Sequence, residues 1–233
     1  MVKIKQDWPL QQFECTTTDA FAALDDPMRG IAVVRTPEEI DPQGLVSRLS
    51  ELLSNRDLPQ TSPNFFYTGA TDLMSDPEQP PDTKALEFDR EYRSVELGVE
   101  KVIHEVLRTY QEKNLLRIFA LLGHYGKSWL HKHPDSYPLT TWLGVSQPGL
   151  KLDMISGENV QLDNIPPHSL LITRQSGWQF SDGESGADLG IRHSVDWKSS
   201  STTDVRVVGL DHRAKKNKIS GTFYTRSSSQ LLR

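Results

Sequence analysis

A chain of 233 residues can bury a substantial core, yet it is short enough that one domain over residues 1–233 is the expectation. Its 26 basic residues against 31 acidic ones leave a net charge of −5, which argues against a dedicated nucleic-acid binder. The single cysteine, Cys15, excludes an internal disulfide, the opening MVKIKQDWPL lacks the apolar run of a signal peptide, and no stretch reaches the length of a membrane span; a soluble, cytoplasmic protein with no membrane partner is expected.

In chain order, the β-branched run Gly30 to Arg35 predicts a short buried strand. Thr36-Pro37-Glu38-Glu39 reads as a capping box with Pro at the first helical position, and Pro42 divides the next stretch into a turn and a helix reaching about Ser54. Leu45, Val46, Leu49, Leu52 and Leu53 share one face of that helix. Asn55 to Arg93 is polar, rich in proline and without a sustained period, and is expected as a long loop or lid. Phe65-Phe66-Tyr67 within it could cover a substrate or anchor the loop. A second helix is expected from Ser94 to about Asn114, with Val99, Val102, Ile103, Val106, Leu107 and Tyr110 at helical spacing and His104 within it as a surface or packing residue.

Beyond it the period changes to that of strands: Leu116–Leu122, Thr140–Val145, Leu150–Ile155, Asn159–Leu162, Ser169–Thr173, Gly190–Val195, Val205–Leu210 and Gly221–Arg226. Short strands separated by Gly, Pro, Asn and Asp turns, after two helices, predict a mainly β fold with flanking helices and a double-stranded β-helix (jelly-roll) core. The N-terminal helical and lid part would occupy residues 1–115 and the jelly roll residues 116–226. The basic run Arg213 to Lys218 is expected as a solvated hairpin loop, and the Ser-rich end as a frayed tail.

The chemistry gathers at His133-Pro134-Asp135. In an extended segment, side chains two residues apart project to the same side, about 6.5 to 7 Å apart along the backbone, so His133 and Asp135 can reach one metal ion. With His193, sixty residues further on, they supply two imidazoles and one carboxylate, the donor set of non-haem Fe(II) oxygenases. His-Pro-Asp also marks J-domain co-chaperones, but there it sits in a helical hairpin, whereas here the β-type run Thr140 to Val145 comes next.

The pieces downstream keep a fixed order: Gly149-Leu150-Lys151, Ile165-Pro166-Pro167, Trp178-Gln179-Phe180-Ser181-Asp182-Gly183, and Arg192-His193-Ser194-Val195. With His133-Pro134-Asp135 they resemble, over about residues 116 to 210, the isopenicillin N synthase-like branch of the 2-oxoglutarate/Fe(II) dioxygenases. The resemblance implies Fe(II) on His133, Asp135 and His193, with 2-oxoglutarate and O2 at the open positions. It also implies that decarboxylation to succinate and CO2 drives hydroxylation, desaturation or cyclisation of a small-molecule substrate.

The same resemblance implies an Arg on a late strand, followed two residues on by Ser or Thr, as a fork for the distal carboxylate of 2-oxoglutarate. Arg206 is the first choice, although Val208 stands where the family has a hydroxyl; Arg213 and Arg117 are the alternatives. A rival pattern, the cupin, would use His131, His133 and His168, but it lacks the Glu that cupins carry shortly after the second His. A catalytically inactive barrel acting as a binding module is the third reading.

Overall fold

The computed structural model describes residues 8–53, 64–67, 83–107, 115–116, 120–123, 138–145, 150–182, 188–195 and 207–214. Its helices are α1 (Thr17–Asp25), α2 (Pro42–Leu53) and α3 (Thr83–Val106). Its strands are β1 (Ile31–Arg35), β2 (Asn64–Tyr67), β3 (Leu115–Leu116), β4 (Ala120–Gly123) and β5 (Leu139–Val145), then β6 (Leu150–Asp153), β7 (Asn159–Leu162), β8 (Ser169–Arg174), β9 (Arg192–Val195) and β10 (Val207–Ala214). Among the described residues, no helix is long and apolar enough to cross a membrane.

The strands form two antiparallel sheets. The larger, seven-stranded one runs β1-β8-β5-β10-β4-β2, with β3 also paired to β10; the smaller, three-stranded one runs β7-β6-β9. Strands of the larger sheet are apolar on both faces, as β1 and β8 show: Ala32, Val34, Leu170 and Ile172 enter one core, and Ile31, Val33 and Leu171 the other. This is the period of two of a strand buried on both sides.

The first core lies under the helices, where Leu24 of α1, Leu45 of α2 and Val99 and Ile103 of α3 meet the sheet. The second lies between the sheets, where Leu150, Leu152, Val160 and Leu162 of the smaller sheet meet Trp142 of β5. Each such side chain contributes about 1.5–3 kcal/mol when fully buried, so the larger sheet is held from both sides. The layers are helices, larger sheet and smaller sheet.

Two local devices position the edges. Asp41 caps α2, its Oδ1 accepting from Gly44 N at 2.9 Å, so the helix begins one step after the capping carboxylate. Thr36 starts no helix; its Oγ1 donates to the Ile40 carbonyl at 3.1 Å and closes the turn that Pro42 enforces. On β5, Gly144 pairs with Val208 but Trp142 with Gly209, leaving Leu143 in a bulge. The Leu143 carbonyl accepts from Gln43 Nε2 at 3.0 Å, and the same amide group donates to the Ser169 carbonyl at 3.0 Å.

Several boundaries differ from the sequence reading. The expected loop over 55–93 contains β2, whose Phe65 and Phe66 pair with Leu122 and Leu121, and the first three turns of α3. That helix starts at Thr83 because residues 83–93 are mostly strong helix formers, although they carry too few apolar side chains to show a period. Arg48 Nε donates to Glu91 Oε2 at 2.6 Å and joins α2 to α3 there. The helix gives way to a turn at Leu107, so its expected end near Asn114, with Tyr110, lies outside the described residues.

Of the expected strand Leu116–Leu122, the described residues fall in β3 and β4; β10 runs on to Ala214, so Arg213 belongs to a strand and not to the expected hairpin loop. Pairing on both flanks of β10 outweighs the polar sequence Asp211-His212-Arg213. The expected strand Gly221–Arg226 lies outside the described residues.

Candidate functional site

Along β9 the residues alternate. Arg192 is exposed and ion-paired to Asp153, whereas His193 is 4% exposed and pairs in register with the buried Leu152. The strand thereby turns the imidazole into the space between the sheets. There it meets Trp142, ring centroids 4.8 Å apart and planes at 74°, an edge-to-face contact between the smaller sheet and the larger. His104, by contrast, is exposed on α3, the surface one of its two expected placements.

Trp142 is itself seated on polar atoms. Its Nε1 donates to Thr173 Oγ1 at 3.0 Å, and Gln175 Nε2 donates to the same oxygen at 3.2 Å. The Thr173 hydroxyl in turn donates to the Thr140 carbonyl at 3.4 Å. Gly209 lies against the indole from β10: a Cβ built there would stand 3.0 Å from Trp142 Cε3. These residues were missed in the sequence. The one available signal was Gly209 inside a strand, which points to close approach by a neighbour.

The remaining ligand candidates, His133 and Asp135, and His131 of the rival pattern lie outside the described residues, in the segment 124–137 that joins β4 to β5. Among the described residues no three His, Cys, Asp or Glu side chains come together as a metal site. Arg206 and Arg117 also lie outside them; Arg206 directly precedes β10, and Arg213 is opposite Leu116 near its other end.

His168 is described, and it is built into a turn. Its φ is 50°, its N–H donates to Gln43 Oε1 at 3.1 Å, and its Nδ1 lies 3.2 Å from the Ile40 carbonyl. It precedes β8 of the larger sheet, whereas His193 stands on the smaller one. The ring is thus engaged with the loop ahead of α2.

Arg174, at the end of β8, is the most heavily bonded side chain nearby and works in another place. Its guanidinium donates to the carbonyls of Leu24 at 2.7 Å, Asp26 at 2.8 Å, Pro27 at 3.0 Å and Leu189 at 3.0 Å, on the helix side. Burial pushes its pKa down to about 10, against the opposing pull of Asp26 and Asp25. Gly30, at φ 66°, leaves room for it, since a Cβ there would lie 3.0 Å from Nη2.

Comparison with known proteins gives a fold. No family model matches the chain, and no curated protein sequence matches it. A full-length Neurospora crassa oxygenase, solved in complex with alpha-KG and 5-formyluracil, is similar at TM-score 0.54 and 12% identity, over 91% of this chain and 84% of that one. The chain shares the fold of that oxygenase. The same Neurospora crassa protein in complex with alpha-KG gives TM-score 0.51 at 12% identity over the same shares, 91% and 84%. A Pseudomonas putida prolyl-4-hydroxylase gives TM-score 0.48 at 11% identity, over 85% of this chain and 99% of that one. These solved structures are 2-oxoglutarate/Fe(II) oxygenases.

Proposed function

We propose that this protein is an Fe(II)- and 2-oxoglutarate-dependent oxygenase acting on a small molecule, with His133, Asp135 and His193 as metal ligands. The observation that carries the reading is the buried His193 imidazole between the sheets, in a fold shared with the Neurospora crassa protein solved in complex with alpha-KG. Strand order supports a jelly roll: after β5 the chain passes to the smaller sheet for β6 and β7, back for β8, over for β9 and back for β10. Among the described residues β9 is paired on one side only. The segment carrying His133 and Asp135 lies in sequence between β4 and β5 of the larger sheet.

The donor set fits the metal: two imidazoles and a carboxylate suit Fe(II) and leave adjacent positions for 2-oxoglutarate and O2. Bound there, iron would couple decarboxylation of 2-oxoglutarate to oxidation of the substrate. The chain's own part is to hold His193 in a dry inter-sheet core and to anchor the cosubstrate from Arg206 or Arg213, at either end of β10, or from Arg117. The motif order around His193 supports the isopenicillin N synthase-like branch, and the lone cysteine supports a cytoplasmic setting.

The cupin reading loses support from His168, whose backbone and ring serve the turn at Gln43 and Ile40. Four single variants decide between the two. Asp135→Ala and His193→Ala should abolish iron-dependent turnover of 2-oxoglutarate to succinate, while His131→Ala and His168→Ala keep most of it. The reverse pattern would establish the cupin set. No turnover by the iron-loaded wild type with any substrate tried would favour the binding module.

A further inference from the structure

A strand fixes where the Cβ of a histidine stands, but not the plane of its ring. The χ2 torsion of histidine is broad and roughly two-fold, whereas a metal ligand must be held within about 10–20° of its productive orientation. Something beside β9 must therefore set the ring of His193. One contact placed to do so is the edge-to-face packing on Trp142, at 4.8 Å and 74°.

Trp142 can do this because it is fixed on each side. The Thr173 hydroxyl accepts from the indole Nε1 and from Gln175 and donates to the Thr140 carbonyl, which uses its donor and both its lone pairs. Trp142 is 3% exposed, and Thr173 and Gln175 are fully buried. From β10, Gly209 lets the six-membered ring lie against the backbone, with no room for a further methyl unless the indole shifts.

We propose that Trp142, locked by Thr173 and Gln175 and seated on Gly209, is the positioning residue that orients the His193 imidazole for a divalent transition metal. This rests on His193 being a ligand. Residues that orient a metal's ligands typically change its affinity by roughly 10–100-fold when removed.

The test is anaerobic binding of Co(II) and Fe(II) by calorimetry, with Trp fluorescence and thermal unfolding followed in parallel. Trp142→Phe and Thr173→Val should weaken metal binding by about tenfold or more, and Thr173→Ser, which restores the hydroxyl, should return to the wild-type affinity. Gly209→Ala, which pushes the indole while deleting no polar atom, should weaken binding several-fold and keeps the test alive if Trp142→Phe does not fold. Co(II) should quench wild-type fluorescence through Trp142, so the quench should shrink in Trp142→Phe. A merely structural role would lower the unfolding temperature and leave metal affinity unmoved. Thr173→Val and Gly209→Ala binding Co(II) like the wild type, while His193→Ala does not, would overturn the proposal. Wild-type Co(II) binding by His193→Ala would instead remove the metal reading beneath it.

Discussion

Gly209 and Trp142 stand opposite each other in the β5–β10 ladder, and that pairing sets the phase of β10. Side chains two residues apart on a strand share a face. Arg213, four residues beyond Gly209 on the same strand, is in phase with it, while Arg206 lies outside the described residues. Strand phase therefore keeps Arg213 a candidate for the proposed cosubstrate anchor beside Arg206, the better match by spacing. The motif spacing could not expose this, because phase becomes readable only once a partner strand fixes it. Losing a charge-assisted pair costs about 1.5–3 kcal/mol, so Arg213→Ala should raise the KM for 2-oxoglutarate by at least about tenfold with Co(II) affinity intact. A steep rise confined to Arg206→Ala would return the role to that residue.

At the scale of elements, legibility followed periodicity. Asn159–Leu162, buried on one face, matches the sequence reading, and Thr140–Val145 and Ser169–Thr173, in the sheet covered by core on both sides, come within a residue of their strands. The start of α3 was hidden, since Lys84 to Arg93 favours a helix through propensity while its apolar stripe begins only at Tyr92 and Val95. His193 was legible from its motif; its neighbour Trp142 was not, since only the fold brings β5 and β9 together.

The attachment of α1 was equally hidden, because it depends on Arg174, 150 residues from Leu24 in sequence. Arg174→Met would remove a donor from four carbonyls, of which that of Asp26 keeps the Arg29 N–H, and should cost roughly 3 kcal/mol, read as a lower urea midpoint at an unchanged m value. Lysine should not rescue it, since an ammonium cannot reproduce the planar fork. The pH dependence has a defined sign. A cation whose pKa is lowered to about 10 on folding is protonated in both states below that, so stability changes through this group only above about pH 10, rising with pH as the folded state sheds its proton first. The deficit of Arg174→Met should therefore be the same at about pH 6 and pH 9. A deficit that varied between them would mean that another titrating group is coupled to the site.

For the whole molecule, the decisive property is that the metal site would join the two sheets. His193 belongs to the smaller sheet, and the segment bearing His133 and Asp135 leads into β5 of the larger, so a bound ion would tie together layers otherwise held by the inter-sheet core. A ligand that binds the native state alone stabilises it by RT ln(1 + [L]/Kd), about 2.7 kcal/mol at a hundredfold excess over Kd. In a chain of this length each kcal/mol shifts the midpoint by roughly 2–4 °C, so saturating Mn(II) or Fe(II) under anaerobic conditions should raise the wild-type Tm by about 5–10 °C. Chelation by EDTA should reverse the rise. His131→Ala and His168→Ala should retain it, and Asp135→Ala and His193→Ala should lose it, since each would remove one of the three proposed ligands. A metal-induced rise that survives in His193→Ala would show that the ion binds elsewhere and that the two sheets are joined by the core alone.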